Sequence, residues 1–166
     1  MNNTSIDLNG GGNGTIYING TGNQLFKGSG VRNRGPLPNI TIDKPSGTLT
    51  LKSIILLTKQ AKWNYIQGNV DATTNQSEVS FSTGDTVDAE GINEPMKFYD
   101  VSAGFGSNFF GVNITLLGNM IVSNKLTIAT GGVRLVQNQN TLTIENSASS
   151  AIVFGTNSGI TCENSN

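Results

Sequence analysis

The chain has 166 residues, a formal charge of -1, 13% charged residues, one Cys and no His. That length suits one domain, and near-neutral charge excludes the basic footprint that non-specific nucleic-acid or anionic-membrane binding requires. Zinc centres built on Cys and His, His-based triads and intrachain disulfides are excluded as well.

Asn 22, Gly 21, Thr 18 and Ser 15 together approach half the chain, which argues against helices. Gly, Asn and Ser favour turns and Thr favours strands, so the expected fold is all-β, with many short strands and tight turns. The return of strings such as Asn39-Ile40-Thr41-Ile42 argues against disorder.

The start, Met1-Asn2-Asn3-Thr4-Ser5, has neither the basic nor the apolar region of a signal peptide, and no apolar run is long enough to span a membrane. The chain is therefore read either as a module of a longer exported protein or as one assembled inside a cell, as phage proteins are. Strand-like runs follow at 5–8, 15–19, 24–27, 39–43, 48–51, 53–58, 62–67, 69–72, 78–81, 97–101, 112–116, 120–122, 125–128, 133–136, 141–144 and 151–154. Most alternate apolar with polar residues, the period of a half-buried strand. That pattern turns Ile40, Ile42, Leu49, Leu51, Leu126, Ile128, Leu142 and Ile144 inward. Between strands, Lys44-Pro45-Ser46-Gly47 reads as a turn, and Gly35-Pro36-Leu37-Pro38 excludes a central strand. The Gly-rich 10–14 is a flexible turn, since no Gly-Lys-Ser/Thr ending or helix accompanies it as a phosphate loop would need. The acidic run 85–94 reads as a solvated loop; its spacing is not that of known calcium-binding repeats. Cys162 is expected as a small buried side chain.

Similar strings recur at offsets near 62 residues: Ile18-Asn19-Gly20 with Phe81-Ser82, Leu37 to Ile42 with Phe98 to Ala103, and Trp63 to Ile66 with Lys125 to Ile128. Divided by three, that offset predicts a β-solenoid with coils of about 21 residues, about eight of them, in a rod about 35 to 40 Å long. The domain would span 1–166, with flexible polar ends near 1–14 and 162–166. A β-sandwich is the alternative with comparable strand spacing.

Asn19-Gly20-Thr21-Gly22-Asn23-Gln24-Leu25-Phe26, the segment from Leu37 through Thr48-Leu49-Thr50-Leu51, and Lys62-Trp63-Asn64-Tyr65 carry a further likeness. With the second cadence from Lys97-Phe98-Tyr99 to Thr141-Leu142-Thr143-Ile144, they resemble the strand repeats of large secreted surface proteins of the Bacteroidetes type. The resemblance runs from about residue 16 to 155. It implies a right-handed parallel β-helix acting as stalk or adhesive surface, and no catalytic residues.

Phe side chains of such a solenoid are expected to stack in the core. Trp63 and Tyr65, which alternate with polar residues, and Phe105, Phe109 and Phe110, in a turn-like segment, are the candidate contact surface. The acids are dispersed, so the expected function is non-catalytic, with no metal or cofactor: a structural and adhesive module, extracellular or on a cell surface. The alternative is a phage virion fibre or spike that binds host glycans. Expected partners are neighbouring repeats, surface glycans, or further copies of the chain as a homo-oligomer or filament; nucleic acid and membrane insertion are not expected. Residues 1–70 carry seven Lys/Arg against two acids and residues 71–166 three against nine, so head-to-tail stacking steered by charge is expected.

Overall fold

The computed structural model describes residues 11–32, 34–104, 113–131 and 133–162. Among these there is no helix; fourteen strands follow one another. They are β1 (Thr15–Ile18), β2 (Gln24–Lys27), β3 (Asn39–Lys52), β4 (Ile54–Leu56), β5 (Lys62–Asp71), β6 (Glu78–Phe81) and β7 (Thr86–Asp88). Then come β8 (Lys97–Ala103), β9 (Asn113–Leu116), β10 (Met120–Ile128), β11 (Arg134–Val136), β12 (Leu142–Ile144), β13 (Ile152–Phe154) and β14 (Gly159–Thr161).

Every ladder pairing is parallel, and each strand pairs with the one a full coil away in sequence. A β-sandwich built from hairpins would pair antiparallel neighbours instead. The registers sort into three ladders. The first runs β1, β3, β5, β7, β9, β11 and β14. The second joins β2 to the later halves of β3 and β5, and the start of β8 to β10 and β12. The third joins β4, β6, β8, β10 and β13. Visiting three ladders per circuit is a parallel β-solenoid, here of about six turns.

The predicted eight coils are too many because the coil is longer than 21 residues: Ile40 pairs with Trp63, and Trp63 with Val87. An offset of 62 is not a whole number of such coils. It therefore superposes chemically similar strands of different ladders, Trp63 in the first and Lys125 in the third.

Three predicted pairs of strands are single long ones. β3, β5 and β10 bend around a corner between ladders, each with a register shift against a neighbour near the bend. Lys44-Pro45-Ser46-Gly47 is thus the corner within β3 and not a turn that ends it; Gly47 adopts φ 70° there. The strands β7 and β14 were not expected, and the run 5–8 lies outside the described residues. Before each described strand of the first ladder except β9, one residue takes a positive φ: Gly12, Gly35, Gln60, Gly84, Gly131 or Asn157. At Gln60, Gly84, Gly131 and Asn157 the left-handed residue turns the chain from the third ladder into the first.

Alternation does place the apolar residues inside. Ile40, Ile42, Leu51, Leu126 and Ile128 are completely buried and Leu49 nearly so. Each such side chain contributes about 1.5–3 kcal/mol relative to an exposed one. Leu142 and Ile144, on the last coil, pack against this core while partly exposed. Trp63, Phe81 and Phe98 form an aromatic cluster with centroids 5.7–6.3 Å apart. Phe154 departs from the expected core stacking: it is half exposed, β13 being paired with β10 alone among the described residues. Cys162 is exposed as well, its thiol directed to Gln137 Oε1 at 2.9 Å.

Buried polar groups join one coil to the next. Lys44 is buried, and its ammonium donates to the carbonyls of Gly20 and Gly22 and to Gln24 Oε1. Glu78 accepts two hydrogen bonds from the Arg32 guanidinium and one from the Ser102 hydroxyl. Asp85, within the run predicted as a solvated loop, is completely buried at the start of β7. Its carboxyl accepts N–H bonds from Ala61 at 2.9 Å and Ser82 at 2.6 Å. Burial outweighs these donors and holds its pKa up to about 7.

Candidate contact surface on the first ladder

The inward residues of the first ladder force their neighbours outward, since strand side chains alternate. Thr41 lies between Ile40 and Ile42, and Asn64 between Trp63 and Tyr65. Parallel register then ranks these outward groups along the rod. One rank is Tyr17, Thr41, Asn64 and Asp88. The other contains Thr15 beside Asn39, then Lys62 beside Thr86 and Thr115. Lys62 N–H donates to Asn39 Oδ1 at 2.9 Å, which ties the two halves of this second rank.

The ranks floor a trough. A cavity of about 320 Å³ lies over Thr41, Lys62, Asn64 and Thr86, reaching Asp88 and Leu117. A second, of about 260 Å³, shares Asn64, Asp88 and Leu117 with it and continues to Ile92. The segment between β7 and β8 forms the far wall. Ile92 N–H donates to Ile66 O at 2.8 Å, and Asn119 Nδ2 reaches Glu90 Oε1 at 3.3 Å. Gly91 is required in that wall: it has φ 67°, and a Cβ on it would come within 2.4 Å of the Tyr65 ring. Leu117 and Ile92 put exposed aliphatic surface beside the polar floor.

Of the sequence candidates, Trp63 and Tyr65 belong to the interior, 1% and 6% exposed. Tyr65 touches the second cavity, and its hydroxyl donates to Gly68 O at 2.7 Å. Burial, with the Glu94 charge adding to it, raises the Tyr65 pKa. Phe105, Phe109 and Phe110 lie outside the described residues. The structure brings together instead the outward partners of the core aromatics, above all Thr41, Asn64 and Asp88. Their signal in the sequence is the polar residue between two inward ones, repeated at the true coil length.

Chemically the trough offers amide, hydroxyl, the Lys62 ammonium and the Asp88 and Glu90 carboxylates. No grouping of three metal-ligating side chains occurs among the described residues, nor does any helix there suffice to cross a membrane. No family model, no curated protein and no solved structure matches this chain.

Proposed function

We propose that this chain is a non-catalytic β-solenoid module, structural and adhesive, of an extracellular or cell-surface protein. The supporting observation is how its ionisable groups are used. Those drawn into the rod, Lys44, Glu78 and Asp85, are bonded to neighbouring coils, while the outward ranks of the first ladder stand ready for contact from the side.

The partners in this reading are surface ligands along the rod and further coils at its ends. Ile152 and Phe154 are 38% and 51% exposed, although they continue columns in which Leu126 and Ile128 are fully buried. Stacking there would be driven by apolar burial. Charge steering loses its basis, because the acids of the second half concentrate between Asp71 and Asp100, in the middle coils and not at the end.

Negative-stain electron microscopy with light scattering tests the reading. Short rods, single or stacked end to end, with association that does not weaken as salt rises, are expected. A compact trimer would favour the virion fibre or spike instead. Release of reducing ends from a polysaccharide, lost on replacing a carboxylate, would overturn the non-catalytic reading.

A further inference from the structure

The trough on the first ladder has a composition that selects its ligand. We infer that it binds a neutral carbohydrate chain lying along the rod axis, a proposal that rests on the adhesive reading above and names the ligand of that surface.

Three observations carry it. First, in a solenoid the backbone N–H and C=O groups point along the axis to the neighbouring coils, so the flat face offers side chains only. An extended peptide, which docks by its backbone on a free strand edge, finds no such edge on this face. A ligand dense in hydroxyls is matched by the Thr41 hydroxyl and the Asn64 amide, each able to donate and to accept, on successive coils of the floor.

Second, the trough has no excess of cations. Lys62 and Asp88 line the larger cavity, and Asp88 and Glu90 the smaller. None of the three is in an ion pair among the described residues, and one cation among two anions does not recruit a polyanion. Third, the exposed aliphatic side chain of Leu117 stands where the two cavities meet, and that of Ile92 farther along the smaller one. Such groups suit the C–H faces of sugar rings. Successive coils set matching side chains about 4.8 Å apart, close to the length of one ring in an extended β-linked chain. Thr41, Asn64 and Asp88 would therefore meet successive rings of one chain.

Native affinity electrophoresis in gels containing mannan, dextran, xylan, galactan or hydroxyethylcellulose tests the inference on the full chain. The wild type should be retarded by at least one of these. Asn64→Ala and Asp88→Asn should each weaken retardation roughly tenfold, the loss expected from a broken hydrogen bond to ligand. Thr143→Ala, exposed on the second ladder, should leave it unchanged. Melting curves identify any variant that has failed to fold. No retardation by any neutral polysaccharide overturns the inference, as does equal retardation of all variants. Retardation by alginate or heparin alone, abolished by Lys62→Ala, overturns it in favour of an anionic ligand. None of these results alters the rod shape or its end-to-end stacking, which microscopy tests independently.

Discussion

Arg32 and Glu78, 46 residues apart in sequence, are joined by two hydrogen bonds of 2.7 Å each, from the guanidinium Nε and Nη2 to the two carboxylate oxygens. The Glu78 side chain is 9% exposed and that of Arg32 46%, so one side of the pair is screened by solvent and the other is not. Arg32→Ala should cost about 1–3 kcal/mol, less than breaking a fully buried pair. Lys97→Ala, which breaks the exposed pair with Glu145, should cost under about 1 kcal/mol. Urea denaturation of the two variants measures the difference.

Leu126 is completely buried, in register with Val101 on one side and Ile152 on the other. Leu126→Ala should cost about 2–5 kcal/mol, through lost transfer energy and the cavity left behind. Ile152→Ala, at the partly open end, should cost clearly less. Equal losses at the two sites in equilibrium unfolding would mean that the end column is covered in solution.

Asp85 makes stability depend on pH. An unfolded aspartate ionises near pH 4, while burial keeps the folded carboxyl protonated up to about 7. Between those values folding takes up a proton, so stability should be greatest on the acid side and decline as pH rises towards 7, then level off. Asp85→Asn should remove most of that slope in unfolding curves taken at pH 4, 5.5 and 7.5.

Gly28 donates its N–H to Lys52 O at 3.0 Å and lies so close to the next coil that an added Cβ would meet Ile54 O at 1.8 Å. Backbone on that side cannot yield as a flexible side chain would. Gly28→Ala should therefore destabilise the first coils by about 2 kcal/mol or more, whereas Gly22→Ala, where no atom crowds the site, should be mild. Hydrogen exchange should show lost protection in β2 and β4 for the first variant only.

Much of the local structure was legible in the residues themselves. Composition excludes helices, and alternation assigns Ile40, Leu51, Leu126 and Ile128 to the interior, because the direction of successive strand side chains is set by the backbone alone. Two things were decided only by the closed coil. One is the coil length: strings such as Lys125-Leu126-Thr127-Ile128 and Thr141-Leu142-Thr143-Ile144 are chemically interchangeable yet stand in the third and second ladders. The left-handed corner residues Gly35, Gln60 and Asn157 mark each circuit, but a chain with 21 Gly and 22 Asn does not make them stand out. The other is the fate of the polar residues. Asp85 in an acidic run and Lys44 beside a proline look solvated locally. Both are buried because the groups that satisfy them, Ala61 N–H for Asp85 and the Gly20 and Gly22 carbonyls for Lys44, come from the preceding coil. The trough has the same origin, since Thr41, Asn64 and Asp88 become neighbours only when parallel pairing stacks residues a full circuit apart.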